Sequence, residues 1–239
     1  MKNNSSLTLL FLLLSFLMMG MSMGANAGLF SHTMSWKEEV LLHDGSTIIA
    51  ERHYNLGGYP AIESQERAAL DVTVKFNLPG TNKKIIWKTD YDQAKPEPNS
   101  LNLIRLDVVK GVPYIATYPA GCVAYNKWGR PNPPQILFKY ENEQWKRITL
   151  TELPTELINT HANVIVGKPA AKLVKSFYTV EQVNGVNHDI DEGPYKTIVR
   201  EALPMARINE MCEERIYYKG TWVGPGDSIG KRMMDSKKK

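Results

Sequence analysis

The feature that most limits the fold of this 239-residue chain is His43-Asp44-Gly45, set between two alternating apolar stretches, Trp36 to Leu42 and Ser46 to His53. Asp-Gly between alternating segments is a strong short-range mark of a β-hairpin, because Gly accepts the positive backbone dihedral that the turn demands. Charge then sets the register. A two-residue loop would place Lys37 opposite Arg52 and Glu38 opposite Glu51, whereas a three-residue loop with left-handed Gly45 places Lys37 opposite Glu51 and Trp36 opposite Arg52. Like charges face to face destabilise a strand pair and opposite charges support it. The three-residue loop is therefore expected, with Val40 across from Ile48.

Three further hairpins follow the same logic. Leu70 to Asn77 returns as Lys83 to Asp90 through Leu78-Pro79-Gly80-Thr81, Leu101 to Val109 returns as Val112 to Tyr118 through Lys110-Gly111, and Gln135 to Tyr140 returns as Trp145 to Leu150 through residues 141–144. Eight short strands without parallel crossover units predict a mainly β fold, an antiparallel hairpin-built sandwich or barrel, with an incomplete propeller-like meander as the alternative. After Leu150 the prolines at 154, 169, 194 and 204 cut the chain into short pieces, giving an irregular α/coil C-terminal part. Within it, Thr155 to Thr160 and Leu173 to Asn184 carry helical spacing, Tyr195 to Ala202 reads as one more strand, and the chain after Gly220 reads as frayed. The expected organisation is a leader over 1–27, one mainly β domain over 28–220 (hairpins 36–150, irregular part 151–220) and a flexible basic tail over 221–239.

Lys2, the apolar run Leu7 to Met19 and the small residues ending Ala25-Asn26-Ala27 form a signal-peptide pattern, with Gly28 as the expected mature start. The run is short for a bilayer span, which needs roughly 18 to 20 residues, so no transmembrane anchor is expected. The protein is expected in the periplasm or secreted. The formal charge is +4, and Lys231, Arg232 and Lys237 to Lys239 concentrate the basic residues at the end of the chain. No basic stripe interleaved with aromatics runs through the body, which argues against nucleic acid as partner.

Cys122 and Cys212 are the two cysteines, and in an oxidising compartment they are expected to form a disulfide. It would close a loop worth up to about 4.5 kcal/mol in chain entropy and staple the irregular part onto the β domain. Between the third and fourth hairpins, residues 119–134 hold four prolines and two glycines, which read as non-regular across most of the stretch. Tyr125, Asn126, Lys127, Trp128 and Arg130 put aromatic faces and polar forks into this one loop, a mix suited to stacking on and hydrogen bonding a ligand. The alternative is that Tyr125 and Trp128 close the end of the core.

Metal and catalytic patterns are thinner. His43 and His53 lie at opposite ends of one strand and cannot share an ion. Asn187 to Gly193 resembles a calcium loop but carries Glu192 where Gly is needed and Ile198 where a bidentate Glu belongs. Phosphate-binding glycine loops, a Gly-x-Ser-x-Gly elbow and His-Glu-x-x-His do not occur in the sequence. No cofactor and no metal are expected.

The stretches Trp36 to Gly45, Tyr54 to Pro60 and above all Ala124-Tyr-Asn-Lys-Trp-Gly-Arg-Pro-Asn-Pro-Pro134 are similar to a group of uncharacterised exported proteins of Gram-negative bacteria, over about residues 34–200. The resemblance implies a bacterial envelope protein and names no activity. The residues themselves favour a non-catalytic binding or accessory module that uses the 122–134 loop to hold an envelope peptide, glycan or protein. An envelope hydrolase acting on glycan or peptide, and a structural subunit of a surface assembly, are the alternatives.

Overall fold

Charge complementarity is realised in the first hairpin, where Lys37 faces Glu51, Trp36 faces Arg52 and Val40 faces Ile48. The computed structural model describes residues 33–57, 68–89, 101–166, 175–188, 196–198, 201–219 and 221–237. Leu42 N–H bonds Ser46 O at 2.8 Å across a three-residue loop, and Gly45 sits at φ +85°. Thr33–Leu41 (β1) and Thr47–Gly57 (β2) continue into Ala68–Asn77 (β3) and Lys84–Lys88 (β4), one antiparallel meander.

A second meander comprises Leu101–Val109 (β5), Val112–Pro119 (β6), Ile136–Glu141 (β7) and Gln144–Ile148 (β8). Its two tight turns place both central residues at positive φ, Lys110 and Gly111 in one and Asn142 and Glu143 in the other. That is the turn whose twist matches paired strands. The last connection is therefore shorter than the sequence suggested, since Glu141 and Gln144 are already paired.

The two sheets bury one face against each other. Trp36, Val40, Tyr54, Val74 and Trp87 from the first meet Leu103, Leu106, Ile115 and Phe138 from the second. The architecture is mainly β and sandwich-like, with no closed barrel among the described residues. Alternation accounts for the first sheet but not for β5, which is buried along its whole length. The outer face of the second sheet is covered as well: Tyr114, Ala116 and Leu137 pack against Leu153, Leu157 and Ile198 from the irregular part.

Residues 163–166 are held between elements by side chains rather than by strand pairing. Asn163 accepts from Leu106 N–H at 3.0 Å and donates to Leu106 O at 2.7 Å and to Leu41 O at 3.0 Å, so its amide stands in for a neighbouring strand at the β5 edge. The fully buried Glu38–Arg52 pair (2.9 Å) takes both the N–H and the C=O of Ile165, each at 3.1 Å. Burial acts to lower the Arg52 pKa, but Tyr54 and Glu38 outweigh it and hold the group above its ordinary value. At the opposite side, Trp145 Nε1 donates to Ile86 O at 2.7 Å and Lys83 pairs with Glu143 at 3.1 Å, tying β4 to the β7–β8 hairpin.

Several local expectations change. Residues 119–134 contain a helix, Cys122–Lys127 (α1), because the prolines and glycines bracket this hexapeptide instead of interrupting it. Helical spacing over 173–184 resolves into a short strand, Phe177–Tyr178 (β9), parallel to β1, and a helix, Val180–Asn187 (α2). Thr179 and Gln182 cap α2 reciprocally, which starts it later than the apolar spacing indicated. Over 155–160 only one 3-10 turn, Thr155–Leu157, forms. Of the expected strand at 195–202, the described part gives a single bridge, Thr197 to His161.

A helix, Met205–Met211 (α3), follows. Beyond Gly220 the chain carries regular structure where a frayed end was expected. Thr221–Val223 (β11) pairs with Ile216–Tyr218 (β10), and Ser228–Lys237 forms α4. Gly230 explains the docking of α4, since a Cβ there would collide with the carbonyl oxygen of Gly224. The leader, the end of the Tyr54 to Pro60 stretch and most of the calcium-like run lie outside the described residues.

Candidate binding site

Cys122 and Cys212 are joined, with Cα atoms 5.2 Å apart. The disulfide brings the residue after α3 against the first turn of α1, and the neighbouring polar side chains complete the join. Asn126 is buried and donates to Cys122 O and Glu213 O, both at 2.9 Å, while its Oδ1 accepts from Arg215 N–H at 2.7 Å. Arg130 donates to Cys212 O at 2.9 Å and to Asn209 Oδ1 at 3.0 Å. Asn132 grips the backbone of Leu203 from both sides, at 2.8 and 2.7 Å. The loop is thus a clamp on residues 203–215.

The five residues singled out from the sequence divide accordingly. Tyr125 is buried, its hydroxyl donating to Pro131 O at 2.9 Å and its ring lying 5.3 Å beneath the Arg130 guanidinium. Burial pushes its phenol above the ordinary range, with Arg130 acting in the opposite sense. Asn126 and Arg130 direct their polar atoms at the clamped segment. Lys127 and Trp128 are half-buried. Trp128 meets Phe138 edge to face at 5.9 Å and lies 5.7 Å from the Arg147 guanidinium, which also donates to Trp128 O at 3.3 Å. Its ring closes the main core on one side and carries an arginine on the other.

An open cavity of about 460 Å3 lies beside this clamp, where β8 parts from β7. Pro131, Asn132 and Pro133, with a cis bond between the last two, make one wall. Arg147, Ile148, Thr149 and Leu150 make the other, and Leu137 and Gln135 also line it. Its lining has no carboxylate, so the paired acids of a glycosidase have no seat there. Sequence reading missed the β7–β8 contribution, because Leu137, Ile148 and Leu150 look like ordinary alternating strand residues.

Comparisons with known protein families, with curated proteins and with solved structures find no match. Among the described residues no group of three or more His, Cys, Asp or Glu side chains gathers as a metal ion would require, and no helix is long and apolar enough to cross a membrane.

A second polar cluster sits on β5, at the opposite edge of the second sheet from β8. Asp107, fully buried, accepts from His43 N–H at 3.0 Å, lies 2.7 Å from His43 Nδ1 and pairs with Arg105. Arg105 also donates to His161 O at 2.9 Å. Burial lowers the pKa of its guanidinium, and Asp107 counters that. Both residues face outward from the sandwich because of a bulge between Leu103 and Arg105, where Ile104 is the extra residue. Without it Arg105 would share the phase of Leu101 and Leu103 and point into the apolar interior.

Proposed function

We propose that this is an exported envelope protein that binds a partner without catalysis, using the cavity between the 131–135 segment and the end of β8. The observation that carries the reading is that cavity, about 460 Å3 with a mixed apolar and polar lining, built against a loop locked by the disulfide and by Asn126, Arg130 and Asn132. A rigid pocket of this size binds without paying much ordering entropy. Its two prolines, Leu137, Ile148 and Leu150 suit an apolar side chain, and Asn132, Gln135, Arg147 and Thr149 set hydrogen-bonding groups beside them, a combination that fits a peptide or partner protein. A sugar site would need an open aromatic face, and the Trp128 ring already has Arg147 and Phe138 against it. The disulfide is compatible with an oxidising compartment and with the leader pattern.

The test is Leu150→Glu, at a half-buried position on the wall. Because Leu150 also packs against the second apolar cluster, the variant is expected to lose about 1 to 2 kcal/mol of unfolding free energy while staying folded, and to lose retention by the envelope fraction in a wash assay. Wild-type retention by a stable variant would refute the reading, and Thr151→Glu, an exposed neighbour outside the lining, serves as the charge control.

A further inference from the structure

Charge is spread unevenly along the chain. Residues 228–239 carry Lys231, Arg232 and Lys237 to Lys239 against one acid, Asp235, a net +4 that equals the formal charge of all 239 residues. Residues 1–227 are therefore neutral on balance. Within that body Lys83, Lys88, Lys110, Lys139 and Lys146 each lie 3.8 Å or less from a carboxylate. Lys231 and Arg232 are exposed and have no acidic partner among the described residues.

The seating of α4 turns these cations outward. Asp227 precedes the helix and accepts from Gly224 N–H at 3.0 Å while its own N–H bonds Gly224 O at 3.1 Å, and Gly230 then rests on Gly224. Successive residues of a helix turn by about 100°, so Arg232 lies roughly 160° from Gly230, and Lys231 and Ile229 fall on the two flanks. Ile229 is 42% exposed. The outward half of α4 thus sets two unpaired cations and Asp235 beside an exposed aliphatic side chain. The helix packs against β10. In the β10–β11 hairpin, alternation buries Ile216 and Val223 and leaves Tyr217 and Trp222 half-buried on the opposite face, with Lys219 exposed at the turn.

A soluble anion would be met by the charges alone. Ile229, Tyr217 and Trp222 add the apolar and amphipathic surface that settles at the headgroup level of a bilayer. We infer that α4 and the β10–β11 hairpin attach the protein to an anionic phospholipid surface, the basic residues drawn to the headgroup phosphates and Ile229 set into the acyl boundary. The attachment is electrostatic and shallow, each basic residue near such a surface being worth about fivefold in partition. It shares no residue with the cavity beside the 131–135 segment, and a wash at high salt strips it while leaving the cavity's hold in place.

The experiment is co-sedimentation of the full disulfide-bonded protein with vesicles of phosphatidylcholine alone and of phosphatidylcholine mixed with phosphatidylglycerol. Such vesicles hold no peptide or protein partner, so failure here and failure of the cavity reading are separate results. Mixed vesicles should pellet the protein, neutral ones should leave it in solution, and salt at about 1 M, where the screening length is about 3 Å, should release it. Lys231→Gln with Arg232→Gln removes two exposed charges and should weaken binding on the order of twentyfold with the unfolding midpoint unchanged. Ile229→Ser should weaken it about threefold, an effect that a purely ionic contact would not show. Leu150→Glu should sediment like wild type. Equal binding to both kinds of vesicle, no binding to either, binding that survives high salt, wild-type binding by either α4 variant, or loss of binding by Leu150→Glu would each overturn the inference.

Discussion

Trp128 shows how a single ring can serve the core while its neighbours hold the chain. Half-buried against Phe138, it joins the main cluster. Trp128→Ala should therefore lower the unfolding free energy by about 2 kcal/mol, less than the 3 to 5 typical of a fully buried Trp, as read from urea midpoints; a change under about 0.5 kcal/mol would return the ring to a surface role. Tyr54 makes a second residue-scale case. Burial raises its phenol above the ordinary 10.0, although Arg52 opposes the shift. The unfolded chain then ionises first, so this contribution to stability is whole below pH 10 and is lost as pH rises through the folded value. Tyr54→Phe should show a shallower fall in unfolding free energy above about pH 10 than wild type, and parallel curves would contradict the assignment.

At the scale of elements, the disulfide joins a six-residue helix, α1, to a segment with few strand pairings of its own. Helices this short are not stable alone; α1 and residues 203–215 hold each other through Asn126, Arg130 and Asn132. Replacing both cysteines with Ser should cost about 2 to 4 kcal/mol. Hydrogen exchange should rise first over 203–219 and leave β1 to β3 protected, because those strands share the main core and make no contact through the bond. A uniform rise across both sheets would show that the clamp and the sandwich unfold as one unit. The β5 bulge is the other device at this scale, since one extra residue moves Arg105 and Asp107 from an apolar interior to a face where His43 and the His161 carbonyl can meet them.

The molecule as a whole places two meanders face to face and wraps the second with the irregular part. The proposal of export is checked by intact mass: protein from the periplasmic fraction should begin at Gly28, and a full-length mass in the inner membrane would contradict it. The eight hairpin strands, the first turn and the register it sets were legible in the sequence, because they depend on neighbours a few residues apart, such as Lys37 with Glu51 or the dihedral freedom of Gly45; the 141–144 turn was not, since nothing local marks Asn142 and Glu143 for positive φ. Boundaries after Leu150 were less so, since the short pieces there take their form from partners elsewhere: Phe177 and Tyr178 become strand by meeting β1, and β11 by meeting β10. In the loop, the sequence drew attention to the right segment but not to its use. Composition marks Asn126 and Arg130 as hydrogen-bonding forks, yet their partners, Arg215 and Cys212, lie more than 80 positions away, and only chain packing decides whether a fork faces solvent or another segment. Cavities belong to that second category. Apolar character marks Leu137 and Ile148 for burial, whereas the gaps left beside the sheets depend on how the 131–135 and 160–163 segments cross them, a long-range fit with no local trace.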